Sequence, residues 1–100
     1  MFVLIAGGGR TGAQLASLLV ERRLAACVQV TAIESTYRWK NKVTCEPEFL
    51  LLIKTVSERY PEVESTIRAN HSYEGPEIVM LPITQGSQAY LDWIGSNTKE

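Results

Sequence analysis

The opening of the chain has the glycine spacing of a phosphate-binding turn. Gly7, Gly9 and Gly12 form a G-x-G-x-x-G pattern between an apolar run and a helical pattern. Such glycines permit a tight turn, and free N–H groups at a helix start favour an anion, with Arg10 nearby to assist. A dinucleotide site also needs an acidic residue about 20 positions further on, at the end of an adjacent parallel strand. Glu34 has a suitable position but falls inside a long predicted strand, so a structural turn is the favoured interpretation and nucleotide binding is the alternative.

Patterns typical of catalysis, nucleic-acid binding and membrane insertion are missing from the sequence. It contains no nucleophile elbow, no H-E-x-x-H and no C-x-x-C, so we expect no enzymatic activity. Ten Lys and Arg residues against eleven Asp and Glu residues leave a net charge of −1, which gives no reason to expect a nucleic-acid partner. No apolar run approaches the ~18 residues of a membrane span, and the start lacks the basic region of a signal peptide. We therefore expect a cytoplasmic protein that does not bind membranes.

Six predicted elements follow one another in the order β-α-β-β-α-β, with one more helix at the end. The strands are expected at residues 2–6, 24–39, 42–55 and 78–82, and the helices at residues 10–23, from about 57 onward, and 87–95. Pro47 predicts an edge or a bulge in the third strand, since proline removes a ladder donor. A chain of 100 residues has room for one modest core, so residues 1–100 are expected to form a single domain.

This order predicts an α+β fold of the ferredoxin-like type, an antiparallel sheet with helices packed on one face. The strands joined by the first helix are then parallel but separated by the second strand of the hairpin. A Rossmann unit instead places those two strands side by side. The neighbour of residues 2–6 therefore decides between the two folds: residues 50–53 in the ferredoxin order, or residues 28–33 in the Rossmann order.

The long hairpin has a register that follows from its turn. Lys40 and Asn41 fit a two-residue turn, because Asn tolerates the left-handed conformation that such turns require. Pairing outward from the turn places Cys27 near Lys54 and leaves Cys45 about nine positions away along the ribbon. That separation is roughly 30 Å, which is far beyond the reach of a disulfide.

Residues 49–53 form an apolar run that covers both faces of its strand. Alternate residues of a strand point to opposite faces, and helices can cover only one face of a small antiparallel sheet. Leaving several leucines on the other face would forgo roughly 1.5–3 kcal/mol for each of them and promote aggregation. We expect other copies of the same chain to cover that face.

Five separated blocks of the sequence resemble the CutA divalent-cation tolerance family. They are LLVERRLAACV, STYRWKNKV, LLLIKT, HSYEGPEI and YLDWI, and the resemblance covers about residues 18–100. It implies a homotrimeric ferredoxin-like protein in which the long β-ribbons of neighbouring subunits pair. It also implies a role in tolerance to copper and other divalent metals.

The resemblance implies a metal site with three candidate ligands. Cys27 is a soft ligand suited to copper, because thiolate binds Cu(I) well, although a small buried apolar residue is the alternative interpretation. His71, the only histidine, and Glu74 are further candidates, with a neighbouring subunit completing the site. The alternative for His71 is a loop residue whose ring is hydrogen-bonded.

Other candidate residues are expected at an inter-subunit cleft or interface. The aromatic ones are better explained by packing than by ligand binding, and the charged ones equally by ion pairs. They are Tyr37, Trp39, Lys54, Tyr73, Glu77, Tyr90 and Trp93.

The first residues of the chain depart from the family pattern. Residues 1–17 resemble the first strand, glycine turn and helix start of a Rossmann nucleotide-binding domain. One hypothesis is therefore an engineered chimera, in which a Rossmann β-α fragment at about residues 1–20 replaces the native start. A natural variant, and a protein made only to test fold compatibility, are the alternatives.

Overall fold

A four-stranded antiparallel sheet forms the body of the molecule. The computed structural model describes residues 2–7, 12–70 and 77–99, with residues 2–7, 12 and 77 described by their backbone alone. The elements are β1 (Phe2–Gly7), α1 (Gly12–Glu21), β2 (Cys27–Trp39), β3 (Lys42–Thr55), the short 3-10 helix η1 (Ser57–Arg59), α2 (Tyr60–Asn70), β4 (Glu77–Pro82) and α3 (Gln88–Ser96).

The strand order is β2-β3-β1-β4, so the hairpin strand β3 lies between β1 and β2. β1 pairs antiparallel with β3, with Ile5 opposite Leu52, and on its other side with β4, with Ile5 opposite Val79. This is the ferredoxin order, and the predicted α+β fold is confirmed. The Rossmann order, in which β1 and β2 would be neighbours, is not adopted.

Helices α1 and α2 cover one face of the sheet. Their apolar residues pack against alternate residues of β3, and every member of the cluster is at most 6% exposed. The cluster is formed by Leu15, Leu19, Leu24, Ala25, Leu51, Ile53, Val63 and Ile67. Burial of each large aliphatic side chain contributes roughly 1.5–3 kcal/mol, so this cluster is the main source of stability among the described side chains.

The β2–β3 hairpin turns at the two predicted residues. Lys40 and Asn41 both have positive φ, 50° and 66°, as a type I′ turn requires. From there the pairing runs without a break to Cys27 opposite Lys54, as the turn predicted. Cys45 lies opposite Thr36, and both cysteines are free thiols.

The far half of this hairpin extends beyond the rest of the sheet. Pairing of β1 with β3 ends at Gly7 opposite Leu50, so residues 42–49 pair with β2 alone among the described residues. We call residues 32–39 and 42–49 the distal ribbon. At strand rise it is roughly 26 Å long, and it accounts for the 44 Å long dimension of the molecule.

Pro47 lies within the distal ribbon and does not interrupt it. It pairs with Glu34 in a continuous register, with no bulge. The missing N–H is tolerated because one edge of β3 has no strand partner at this point among the described residues. Of the two outcomes that Pro47 predicted, the edge position is therefore the one observed.

The start of β2 is later than predicted. Leu24, Ala25 and Ala26 form a buried loop after α1 instead of the first residues of the strand, which begins at Cys27. The hydroxyl Oγ1 of Thr55 donates a buried hydrogen bond of 2.6 Å to the carbonyl oxygen of Leu24. This bond fixes the loop to the end of β3.

Candidate functional site on the open face of the sheet

The face of the sheet opposite the core cluster carries both apolar and reactive side chains. Residues directly opposite in an antiparallel sheet share a face, so the register assigns its members. We define the open face by the described side chains Cys27, Gln29, Thr31, Leu50, Leu52, Lys54, Val79 and Leu81.

The apolar part of the open face remains accessible to water in one subunit. Val79 and Leu81 on β4 are 44% and 48% exposed, and Leu50 and Leu52 on β3 are half-buried. In contrast, Leu51 and Ile53 on the other face of β3 are 2% and 0% exposed. Residues 50–53 thus place apolar side chains on both faces of β3, as the sequence predicted.

Cys27, Lys54 and Gln29 form a small polar group beside this apolar surface. Cys27 is the first residue of β2, is half-buried, and lies directly opposite Lys54. The ammonium Nζ of Lys54 donates a hydrogen bond of 2.8 Å to Oε1 of Gln29, two residues further along β2. The predicted neighbours Cys27 and Lys54 are therefore brought together, and Gln29 is a contact that the sequence analysis missed.

Cys45 lies apart from this group, on the distal ribbon. It is exposed, and its Sγ lies 3.4 Å from Oε1 of Glu34, to which it donates a weak hydrogen bond. Nine strand positions separate it from Cys27, which corresponds to roughly 30 Å.

The predicted aromatic residues occupy two separate places. Tyr37 and Trp39 are near the end of the distal ribbon, and Trp39 is 47% exposed with Nζ of Lys40 lying 5.9 Å from its ring centroid. Tyr90 and Trp93 stack on α3, with 5.9 Å between ring centroids and an interplanar angle of 17°. Tyr37 lies ten strand positions from Cys27, roughly 33 Å, so one subunit does not bring the ribbon pair to Cys27.

Several predicted site residues lie outside the described part of the chain. They are Gly9, Arg10, His71, Tyr73 and Glu74. The backbone of Glu77 is described and pairs with Gly7, at the corner of the sheet diagonal to Cys27. Strand rise and strand spacing put the Cα atoms of Glu77 and Cys27 roughly 20 Å apart.

The glycine-rich opening keeps its strand and helix but not the second half of a dinucleotide site. Gly7 ends β1 and Gly12 begins α1. Glu34 lies on β2, and β3 separates that strand from β1. The acidic residue is therefore not on a strand adjacent to the glycine turn, which a dinucleotide site requires.

Arg59 is a buried contact residue that the sequence analysis missed. It is 8% exposed, and its Nε donates a hydrogen bond of 2.8 Å to the carbonyl oxygen of Thr98, after α3. Its Nη1 also pairs with Oε1 of Glu62 at 3.1 Å. The pair with Glu62 could be predicted, because the two residues are three positions apart on a helix. The contact with Thr98 could not, because it depends on the fold bringing the end of α3 close to the start of α2.

Metal-ligand geometry is not assembled within the described residues. Across residues 13–70 and 78–99, no group of three or more His, Cys, Asp and Glu side chains is placed to hold a metal ion. Likewise, no helix in those parts of the chain is both long and apolar enough to cross a bilayer.

Comparison with known proteins decides the family. The profile of the family described as "CutA1 divalent ion tolerance protein" matches residues 1–97. The chain belongs to this family. The match includes the glycine-rich opening, which sequence reasoning placed outside the resemblance, so the chimera hypothesis gains no support from it.

Individual relatives agree with the family match. The divalent-cation tolerance protein CutA of Thermus thermophilus is 46% identical over 85 residues, which are 84% of this chain and 82% of that protein. The chloroplastic protein CutA of Arabidopsis thaliana is 43% identical over 89 residues, 88% of this chain and 49% of that protein. The chain thus spans about half the length of the plant relative.

Solved structures of relatives share the fold over nearly the whole chain. The periplasmic divalent cation tolerance protein CutA from Archaeoglobus fulgidus superposes with a TM-score of 0.94 at 34% identity, covering 99% of this chain and all of that one. The Cut A1 protein from Thermus thermophilus gives 0.92 at 41% identity with the same coverage. The names of these relatives refer to tolerance of divalent cations and not to a catalysed reaction.

Proposed function

We propose that this protein is a cytoplasmic homotrimer that binds copper or another divalent metal between its subunits, contributes to metal tolerance, and has no catalytic activity. The observation that carries this proposal is the open face, where a half-buried thiol, Cys27, shares one face of the sheet with exposed apolar residues such as Val79 and Leu81.

Self-association accounts for the apolar part of the open face. Transfer of a partly exposed Val or Leu into an interface gains about 25 cal/mol for each Å² of apolar surface removed from water. The distal ribbon provides further surface, because neither of its outer edges pairs with another strand among the described residues, and a neighbouring ribbon can pair there. We therefore propose that copies of the chain cover each other's open faces and pair through their ribbons.

The metal ligands are proposed to come from two subunits. Cys27 supplies a thiolate, and His71 and Glu74 supply an imidazole and a carboxylate, a donor set that suits copper or zinc. Glu77, which follows these two residues in the chain, lies diagonally across the sheet from Cys27. We propose that His71 and Glu74 approach Cys27 of a neighbouring subunit.

The remaining candidate residues take interface roles in this proposal. Tyr37 and Trp39 lie at the far end of a ribbon that reaches well beyond its own sheet, so they are placed to contact a neighbour. Tyr90 and Trp93 form an exposed aromatic pair on α3 that is suited to packing. Lys54, Tyr73 and Glu77 complete the proposed cleft.

Copper titration of the full chain tests the metal ligands. We expect Cys27→Ser and His71→Ala each to weaken copper binding at least tenfold, measured by competition with a coloured chelator. Cys45→Ser is the matched control, because this exposed thiol lies roughly 30 Å from Cys27 and should not change the affinity. Unchanged affinity and stoichiometry in both ligand variants would contradict the proposed site.

A further inference from the structure

Positive and negative charges are segregated along the distal ribbon. Residues 36–45, which include the turn and which we call the tip half, carry three bases and no acid. Residues 32–35 and 46–49, which we call the body half, carry three acids and no base. The tip half therefore has a charge of +3 and the body half a charge of −3, in a chain whose net charge is −1. The bases are Arg38, Lys40 and Lys42, and the acids are Glu34, Glu46 and Glu48.

This segregation is present on both faces of the ribbon. Every second residue of a strand points to the same face, so Lys42, Glu46 and Glu48 continue the open face along β3. Arg38 and Glu34 lie on the opposite face of β2. Each face of the ribbon consequently has a basic end and an acidic end.

The two halves of one ribbon are too far apart to neutralise each other. On either face, four strand positions separate the nearest opposite charges, Arg38 from Glu34 and Lys42 from Glu46. Four positions correspond to roughly 13 Å, which exceeds the screening length of about 10 Å at 0.1 M salt. All four side chains are exposed or half-buried in one subunit, so a second molecule can reach them.

A second copy of the ribbon has the complementary charge and length. Each half consists of four cross-strand pairs, so the tip half of one copy matches the body half of another. Neither outer edge of the distal ribbon pairs with another strand among the described residues. Two ribbons in register and in the same direction would place like charges together, which repulsion disfavours. Contact between a tip half and a body half brings opposite charges together instead.

We propose that the tip half of the ribbon in one copy docks on the body half of the ribbon in the next copy, and that this charge match sets the direction in which the copies associate. A contact between two different surfaces can repeat around a closed ring, in which each copy offers its tip half to one neighbour and its body half to the other. This inference rests on the proposed function, since it requires the copies to associate. It adds which parts of two ribbons meet.

Charge reversal of the tip half tests this contact. The tip-half variant carries Arg38→Glu, Lys40→Glu and Lys42→Glu. We expect the concentration at which half of the chains are assembled to rise at least about tenfold in about 0.1 M salt, measured by sedimentation velocity over a dilution series. In about 1 M salt, where the screening length is about 3 Å, the difference should shrink to less than about threefold.

A matched control reverses three bases outside the ribbon. Arg22→Glu, Arg23→Glu and Lys99→Glu change the net charge by the same amount, and all three residues are exposed. Arg23 has a positive φ of 57°, like Lys40 at 50°, so both variants place one Glu in the left-handed region. The control variant should assemble at the concentration of the parent protein.

Exchange of the charges between the two halves restores the complementarity. The body-half variant, with Glu34→Lys, Glu46→Lys and Glu48→Lys, should assemble as poorly as the tip-half variant, because it also places like charges at the contact. A chain with all six substitutions keeps the net charge of −1 and again has opposite charges there. We expect this exchanged chain to assemble within about threefold of the parent concentration.

The outcomes separate this inference from the proposed function. If the parent protein associates but the tip-half variant assembles equally well, or the exchanged chain is not restored, the tip-to-body contact is overturned and the covered open face stands. A parent protein that sediments as a single chain at every concentration refutes both. If the tip-half variant loses the circular dichroism spectrum of the parent, Arg38→Glu with Lys42→Glu, which leaves the turn residues unchanged, gives the same comparison.

Discussion

Two buried polar side chains, Thr55 and Arg59, connect segments that are distant in the sequence. Thr55 holds the loop after α1 through the carbonyl oxygen of Leu24, and Arg59 holds the residue that follows α3 by two positions, Thr98. Neither contact could be predicted from the chain, because hydrogen bonds to backbone carbonyl groups depend on which segments the fold brings together. The cross-strand pair of Cys27 with Lys54 was predictable, because it requires only the register of one hairpin.

Replacement of Thr55 by Val tests the first of these buried bonds. The two side chains have nearly the same shape, but valine leaves the carbonyl oxygen of Leu24 without its 2.6 Å donor. We expect the free energy of unfolding to fall by about 1–2 kcal/mol in urea denaturation at a fixed protein concentration. Thr84→Val, in the exposed loop after β4, is the control and should change it by less than about 0.5 kcal/mol.

Replacement of Arg59 by Met tests the attachment of α3. This change removes the donor to the carbonyl oxygen of Thr98 from a residue that is 8% exposed, and we expect a loss of about 2–3 kcal/mol. Hydrogen exchange should also become faster in α3. Arg68→Met provides the comparison, because Arg68 pairs with Glu64 on the surface with its side chain 58% exposed, and its loss should cost less than about 0.5 kcal/mol. Equal losses in the two variants would contradict the buried role of Arg59.

At the scale of elements, local patterns predicted the hairpin and failed at the start of β2. The two-residue turn and the strand from Lys42 to Thr55 were confirmed, because turn residues and alternation of side chains act locally. Leu24 to Ala26 look like strand residues, but the N–H groups of Leu24 and Ala25 donate to the carbonyl oxygen of Leu19 on α1, which holds this segment in a loop. Pro47 suggested an interruption, but at this point β3 pairs on one side only among the described residues, so the missing N–H breaks no observed pairing.

The hairpin turn gives a prediction with opposite signs at one position. Asn41 has φ of 66°, a conformation that glycine adopts without cost and a β-branched residue strongly disfavours. We expect Asn41→Gly to raise the melting temperature slightly and Asn41→Val to lower the free energy of unfolding by about 1 kcal/mol or more. Calorimetry of both variants checks this, and a gain for valine would contradict the observed turn.

At the scale of the whole molecule, the order of elements was enough to predict the topology. A strand that precedes a glycine-rich turn fits both candidate folds, and the position of β3 beside β1 decides between them. The arrangement of the ligands of the proposed metal site was harder to predict. Cys27 could be placed by register, whereas a site shared between subunits depends on an assembly that one sequence does not specify.

Copies of the chain are expected to cover each other's open faces. Val79→Glu would place a carboxylate there, at a residue that is 44% exposed in one subunit. Val20→Glu is the matched control, since Val20 is 42% exposed on α1, and it should leave the assembly unchanged. Both variants should keep the circular dichroism spectrum of the parent protein.

Sedimentation velocity at micromolar concentration measures the assembly directly. We expect the parent protein and Val20→Glu to sediment as particles of three times the 11.1 kDa chain mass, and Val79→Glu to shift toward the single chain. A parent protein that sediments as one chain at every concentration, with Val79 and Leu81 left in water, would contradict the account.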